Sequence, residues 1–528
     1  MSILRWLVLA AMAAAFLPLT GLAQQTLETL VMIVQPEPPT LAAYLTTSLP
    51  VPQVTAKIYD GLLEYDDKLQ PQPGLAESWS VSPDGKTILF KLRKEVKFHD
   101  GKPFTSADAR FSIQEVISKF HPRGINTFRE LDAVETPDDY TLVLKLKKPA
   151  PYLISALASS ETPMLPKHLL EGKDIRSSDL ANKPLGTGPF RFVEWRRGEF
   201  VRLDKNRDYW RRGEPNVDRL IARFIPDSAT RTSLIERGEV HYAALGAIPY
   251  SDVKKMASAS SLSVTTEGNQ LFSQVVELTL NTKRPPFDQV KVRQAISYAV
   301  DRQFIADTVF FGYAKPATGP MHSNYLARGY YTDQVRKYDV PDRISIANKL
   351  LDEAGHPRKA NGVRFEITHD VLPYGEEWRR VGEILQQQLA QVGVKVSLRN
   401  EDVPTWLRRV YTNYDFEITT NFLFNLSDPV IGMHRGLHSN AIKAGTNFVN
   451  GSRWSSERAD DIMDRATVAS KEEDRKVLYH ELQKLVAEEV PNVYLLYMNS
   501  PTVMSSKLKG AVTPEGPYDS FNKARLGK

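Results

Sequence analysis

The chain has 528 residues, 42% apolar and 25% charged, an ordinary globular composition that excludes collagen-like, disordered and mini-protein architectures. Lys+Arg 68 against Asp+Glu 63 leaves a formal charge of +5, too slight at this length for a nucleic-acid footprint. There is no cysteine, which excludes disulfides, thiolate metal sites, a cysteine nucleophile and a lipid anchor on an N-terminal cysteine.

Arg5 is the only charge ahead of an apolar run from Trp6 to Leu19. The run is shorter than the ~20 residues of a spanning helix. Pro18 and Gly21 break it, and Gly21-Leu22-Ala23 offers small residues at a cut. This pattern predicts a cleaved secretory signal peptide over 1–23, a mature chain from Gln24 and a periplasmic, non-lipoprotein product. Thr29 to Val34 reads as a buried strand, and Pro36, Pro38 and Pro39 turn the chain after it. The next region is β-rich. Ser82-Pro83-Asp84-Gly85 predicts a hairpin into Ile88–Arg93, and Tyr140 to Leu146 alternates as a strand. Thr105 with Asp108 forms a capping-box pattern for a helix reaching about Lys119. Gly186 to Tyr209 predicts another hairpin turning at 196–199, and Leu278-Thr279-Leu280 a strand.

The second half is helical. Trp378, Val381, Leu385, Leu389 and Val392 share one helix face that stops at Gly393, and the strand 394–398 follows directly. That order suggests parallel pairing. Val477, Leu478, Leu482, Leu485 and Val486 form another stripe, ending at Pro491 before the strand 493–498. The class is therefore α/β, with a β-rich insertion early and an α/β lobe late.

Catalytic motifs do not hold up. No Gly-x-Ser-x-Gly elbow and no phosphate loop is present. His480-Glu481 begins a zinc-protease pattern, but Lys484 stands where the second ligand belongs. His434 and His438 are four apart with no third ligand nearby, so they read as solvated loop residues rather than a metal site. Gly186-Thr187-Gly188-Pro189 reads as a strand-entry turn. Acids interleave with the arginines of 191–223, which reads as a paired-charge hairpin face rather than a nucleic-acid surface. The reading is of a non-enzyme with no cofactor and no metal.

The segment IYDGLLEYDDKLQPQPGLAESWSVSPDGKTILFKLRKEVKFHDGKPFTSADARF (58–111) resembles the signature region of the extracellular solute-binding proteins of family 5, the periplasmic oligopeptide, dipeptide and nickel receptors of ABC transporters. GTGPFRFVEW (186–195), NRDYWRRGEPNVDRL (206–220), RPPFDQVKVRQAISYAVDR (284–302), ANKLLDEAG (347–355) and ILQQQLAQVGVKV (384–396) continue the likeness in family order. The resemblance implies a type II-like periplasmic-binding fold, two lobes with a hinge plus a β-rich third domain. Domain I would be 24–57, 186–280 and 494–528, domain II 58–185 and domain III 281–493. Domains I and III would be joined by two crossings near 281 and 493, closing on a solute between them. The implied role is the substrate-binding protein of an ABC importer. It would take a peptide or small polar solute to an inner-membrane permease and act as a monomer. A secreted hydrolase or metalloenzyme, and a peptide-binding chaperone or sensor module, stay open as other classes.

In the peptide receptors an Asp pairs with the ligand's α-amine within Gly-Trp-x-x-Asp, just before Asp-Pro. The matching stretch runs from Asn421 to Pro429, so that Asp becomes Asn425 and the Trp becomes Phe422. A neutral amide lacks the charge-assisted bond an ammonium prefers, which argues against ordinary free-amine peptides. Asp428 either takes over the amine or serves as a turn residue that N-caps the segment after it. Tyr44, Tyr374, Phe422 and Phe424 are candidate aromatic walls of the ligand site.

Overall fold

The structure, a computed structural model, describes residues 27–527. The expected signal peptide lies outside these residues. Among them no helix is long and apolar enough to cross a membrane.

Two large sheets organise the chain. The first has seven strands in the order Leu262–Thr265, Thr502–Ser505, Tyr242–Ala243, Thr29–Ile33, Arg219–Arg223, Phe200–Lys205 and Phe190–Arg196. The apolar run at 29–33 lies inside this sheet, parallel to 219–223. Its last two strands are the expected hairpin, on whose face Arg202 pairs with Glu194 and Arg219 with Asp204. The second sheet has six strands: Ala314–Pro316, Asn492–Met498, Gln274–Leu280, Ile418–Phe424, Phe365–Asp370 and Val394–Arg399. The helix Glu376–Ala390 buries Trp378, Val381, Leu385 and Leu389, and Gly393 ends it at φ +81°. The strand after it pairs parallel with 365–370. A four-stranded sheet, ordered 76–81, 87–92, 141–146 and 131–138, carries the early β-rich region. Thr105 and Asp108 form the expected capping box.

The chain passes between the two large sheets twice: between Thr265 and Gln274, and between Met498 and Thr502. The crossings expected near 281 and 493 are therefore displaced. Strands 274–280 and 492–498 are neighbours at the centre of the second sheet, because their apolar runs pair with each other rather than with the first lobe. The stripe on helix Glu472–Glu489 also needs correction. Leu478, Leu482, Leu485 and Val486 are buried, but Val477 is 68% exposed, one residue being about 100° around a helix.

Close packing joins the pieces. A Cβ on Gly188 would stand 2.6 Å from the Ile58 carbonyl carbon, so glycine at this turn lets the hairpin enter against 57–59. Leu426 and Ile431, from the second lobe, pack into the core shared by the first lobe and the β-rich region. Burying that apolar surface holds the three parts against one another.

Candidate functional site

The second lobe presents an aromatic strip toward the first. Phe422 stacks on Trp378 with centroids 5.5 Å apart, Tyr374 packs edge-on to Phe422 at 6.1 Å, and Phe424 follows at 5.4 Å. Phe424 meets Phe272 of the first crossing at 5.1 Å, and Phe272 meets Tyr518 of the first lobe at 4.7 Å. Alternation along strand 418–424 puts Phe422 and Phe424 on one face and Asn421 and Leu423 on the other. Tyr374, Phe422 and Phe424 therefore form one surface. Tyr44 lies apart from it, fully buried in the turn Ala43–Leu45 of the first core. Burial pushes its hydroxyl up to about 12, with Ser178 working the other way.

The two polar candidates face inward. Asn425 donates from Nδ2 to Pro320 O at 3.1 Å and accepts at Oδ1 from the His322 N–H at 2.6 Å. Its amide is spent on fixing the 320–322 segment. Gly432 makes this possible, since a Cβ there would stand 2.0 Å from Asn425 O. Asp428 caps the turn Pro429–Gly432 through the Val430 N–H and receives Arg475 Nη2 at 2.7 and 2.9 Å. Burial pushes its carboxyl up, but Arg475 and Arg328 outweigh this and hold it below the usual carboxylate range.

Between the β-rich region and the second lobe lies a partly open cavity, lined on one side by Arg123, Asn126 and Arg129 and on the other by Ile431, His434 and Arg435. Arg123 bonds Glu161 at 2.8 and 2.6 Å. Arg435 Nη1 donates to Phe448 O, while its Nε is buried without a partner in the protein. Burial and the neighbouring Arg123 push the Arg435 guanidinium down to about 10, so it stays charged at neutral pH. His434 and His438 line this cavity and are 6% and 8% exposed, so they are not solvated loop residues. Burial takes His434 down to about 3 and leaves it neutral. Among the described residues no His, Cys, Asp or Glu group has metal-binding geometry. Arg123 is paired with Glu161, and Arg129 with Glu130 at 3.4 Å and Asp464 at 3.0 Å, so Arg435 is the guanidinium lining this pocket that is in no ion pair among the described residues.

Sequence reasoning missed Arg123, Glu161 and Arg435. Nothing in one sequence separates an arginine aimed into a cavity from one in solvent. It also passed over Glu277, although a lone acid inside the buried strand Gln-Val-Val-Glu-Leu-Thr-Leu was a visible signal.

Residues 70–443 match the family model for bacterial extracellular solute-binding proteins, family 5 Middle. The glutathione-binding protein GsiB of Pectobacterium atrosepticum is 29% identical over 496 residues, covering 90% of this chain and 89% of that protein. Among solved structures, the oligopeptide-binding protein AppA of Bacillus subtilis with a nonapeptide is 27% identical at TM-score 0.82, over 95% of this chain and 99% of its own. The binding protein AgaA of A. tumefacien R10 with agropinic acid is 26% identical at TM-score 0.78, over 95% of this chain and 99% of its own. Two sheets joined by two crossings, with a β-rich third part, are thus the type II periplasmic-binding fold, and the chain belongs to the family 5 bacterial extracellular solute-binding proteins.

Proposed function

We propose that this chain is the periplasmic substrate-binding protein of an ABC importer, capturing a carboxylate-bearing, peptide-like solute and passing it to a membrane permease. The observation that carries this reading is the buried Arg435, whose Nε has no partner in the protein and which is in no ion pair among the described residues, while its neighbour Arg123 is taken up by Glu161. An anionic ligand group satisfies that site. Relatives with the same fold bind glutathione, a nonapeptide and agropinic acid, all of which carry carboxylates.

Tyr374, Phe422 and Phe424 serve as apolar walls of the cleft, and domains I and III close about the two crossings. A ligand touching both sides binds the closed form better and shifts the population toward it. The permease then reads the closed shape, and no bond in the solute is broken. The protein works as an exported monomer.

Calorimetric titration of the purified protein with glutathione, short peptides and an opine tests this reading. Replacing Arg435→Gln removes a charge-assisted bond of about 1.5–3 kcal/mol. Affinity for the carboxylate form of the ligand should fall ~10- to 150-fold, and ligands amidated at that carboxylate should bind both proteins equally weakly. Unchanged affinity in the variant overturns the proposal.

A further inference from the structure

The segment 514–521 of the first lobe packs against one of the two crossings. The Leu271 N–H donates to Pro514 O at 2.8 Å. Tyr518 meets Phe272 at 4.7 Å, and its hydroxyl donates to Leu49 O at 3.3 Å. Gly516 stands at φ +53°, and a Cβ there would lie 2.4 Å from Asn269 Oδ1 and 2.6 Å from Gly268 O. Glycine therefore lets this turn close on the crossing. Asn269 in turn reaches the other crossing, donating from Nδ2 to Ser500 O at 3.0 Å and to Thr502 Oγ1 at 3.1 Å.

The segment is itself pinned by a buried cation. Lys57 is 0% exposed, and its Nζ donates to Pro517 O and lies 4.3 Å over the Phe521 ring. Glu515 and Asp519, on the same segment, are the acids acting on it. A fully buried ammonium is costly, and this one does not line the Arg435 pocket. Past Leu271 the bonds change sides. Phe272 O accepts from the Asn425 N–H at 3.1 Å, and the Asn499 N–H donates to Tyr313 O at 2.9 Å, both reaching second-lobe residues. Ser273 sits at the change. It is 3% exposed at φ +38°, and its Oγ donates to Gln270 O at 2.6 Å and accepts from Asn324 Nδ2 at 3.1 Å. A left-handed serine is strained backbone. Hinges absorb their rotation in a few residues at element ends, and Ser273 directly precedes strand 274–280 as Asn499 directly follows strand 492–498.

We propose that the segment 514–521, pinned by Lys57, is a brace that makes residues 266–272 part of the first lobe and confines lobe motion to Ser273 and the 499–500 link. The brace restricts the directions in which the lobes part. An empty receptor then reaches its closed geometry without the entropy loss of ordering a loose crossing. The proposal rests on the lobe motion of the receptor reading, but its readouts need no solute.

Hydrogen exchange and spin-label distances on the solute-free full chain test it. Lys57→Met removes the pin, and Gly516→Ala pushes the turn off Asn269. In both, exchange of the Leu271 N–H should speed up about 2- to 12-fold, while strand Thr29–Ile33 keeps its parent rate. Lys57 is bonded to Pro517 and not to Leu271, so a response at Leu271 requires the segment to act as one unit. Labels at Arg237→Cys and Val477→Cys should give a wider distance distribution in both variants than in the parent. Labels at Arg237→Cys and Gln270→Cys should give a narrow distribution in the parent that the variants lose. If Lys57→Met does not fold, Gly516→Ala carries the same expectations. Unchanged exchange at Leu271 overturns the proposal, as does faster exchange with unchanged lobe distances. So does a parent in which Gln270 is as widely spread from Arg237 as Val477 is. A working brace in a protein that binds none of the titrated solutes counts against the receptor reading alone.

Discussion

Asn425 and Glu277 show how a single side chain's surroundings decide its chemistry. The sequence marks Asn425 as the position where peptide receptors hold an amine, and the fold turns that amide toward Pro320 and His322. Asn425→Asp removes the donor to Pro320 O and buries a charge. We expect a loss of about 1–3 kcal/mol in denaturant unfolding and no gain for free-amine ligands. Glu277 carries the opposite lesson. Burial pushes its carboxyl up to about 7 from an ordinary 4.5, with Thr279, Arg435 and Asn492 pulling back. Between those values the folded chain holds a proton there that the unfolded chain has released, so this residue's contribution to stability falls as pH rises through the window and is flat above it. Glu277→Gln should match the parent near pH 4.5 and exceed it by about 3 kcal/mol above pH 7, read from unfolding curves at stepped pH. The chain announces Glu277 as an acid in an apolar strand. It cannot announce that Tyr494 and Asn421 stand beside it, because strand partners far apart in sequence are chosen only on folding.

Helices and hairpins were the most legible part of the fold. The 76–92 and 190–205 hairpins turn where turn residues stand, and the 376–390 helix follows its apolar spacing into its C-terminal glycine. The boundaries between lobes were less so. Strands 274–280 and 492–498 are buried on both faces and carry no mark of which sheet they join. The segment after strand 418–424 shows why an element is more than its spacing. Asp428 caps its short turn, yet it is also the counter-ion of Arg475 on helix 472–489, whose side chain bonds Tyr330 at 2.9 Å as well. Asp428→Asn keeps an acceptor for the cap and strands the buried guanidinium. The expected cost is about 3–5 kcal/mol, measured by chemical unfolding. Arg475→Met should cost similarly by exposing the carboxylate's need for a partner.

For the molecule as a whole, closure depends on two thin crossings, 266–273 and 499–501, and on contacts between the β-rich region and the second lobe. Ser427 Oγ donates to Ser155 O at 2.9 Å, and Arg129 reaches Asp464 at 3.0 Å. Asp464 is half exposed, so the ion pair contributes less than ~1 kcal/mol. Asp464→Asn should weaken ligand binding no more than about fivefold, and raised salt should shrink the difference. Because the chain has no cysteine, dyes placed by Arg237→Cys and Val477→Cys report lobe separation without background, and ligand should shorten that distance. The strand Thr502–Ser505 sits inside the first sheet, between 262–265 and 242–243, and the Leu526 N–H donates to Glu28 Oε1 at 2.7 Å. The second lobe is one continuous stretch and can condense on its own. The first must wait for strand 502–505 before its interior row is filled, so pairings this remote make it the slow half of the folding.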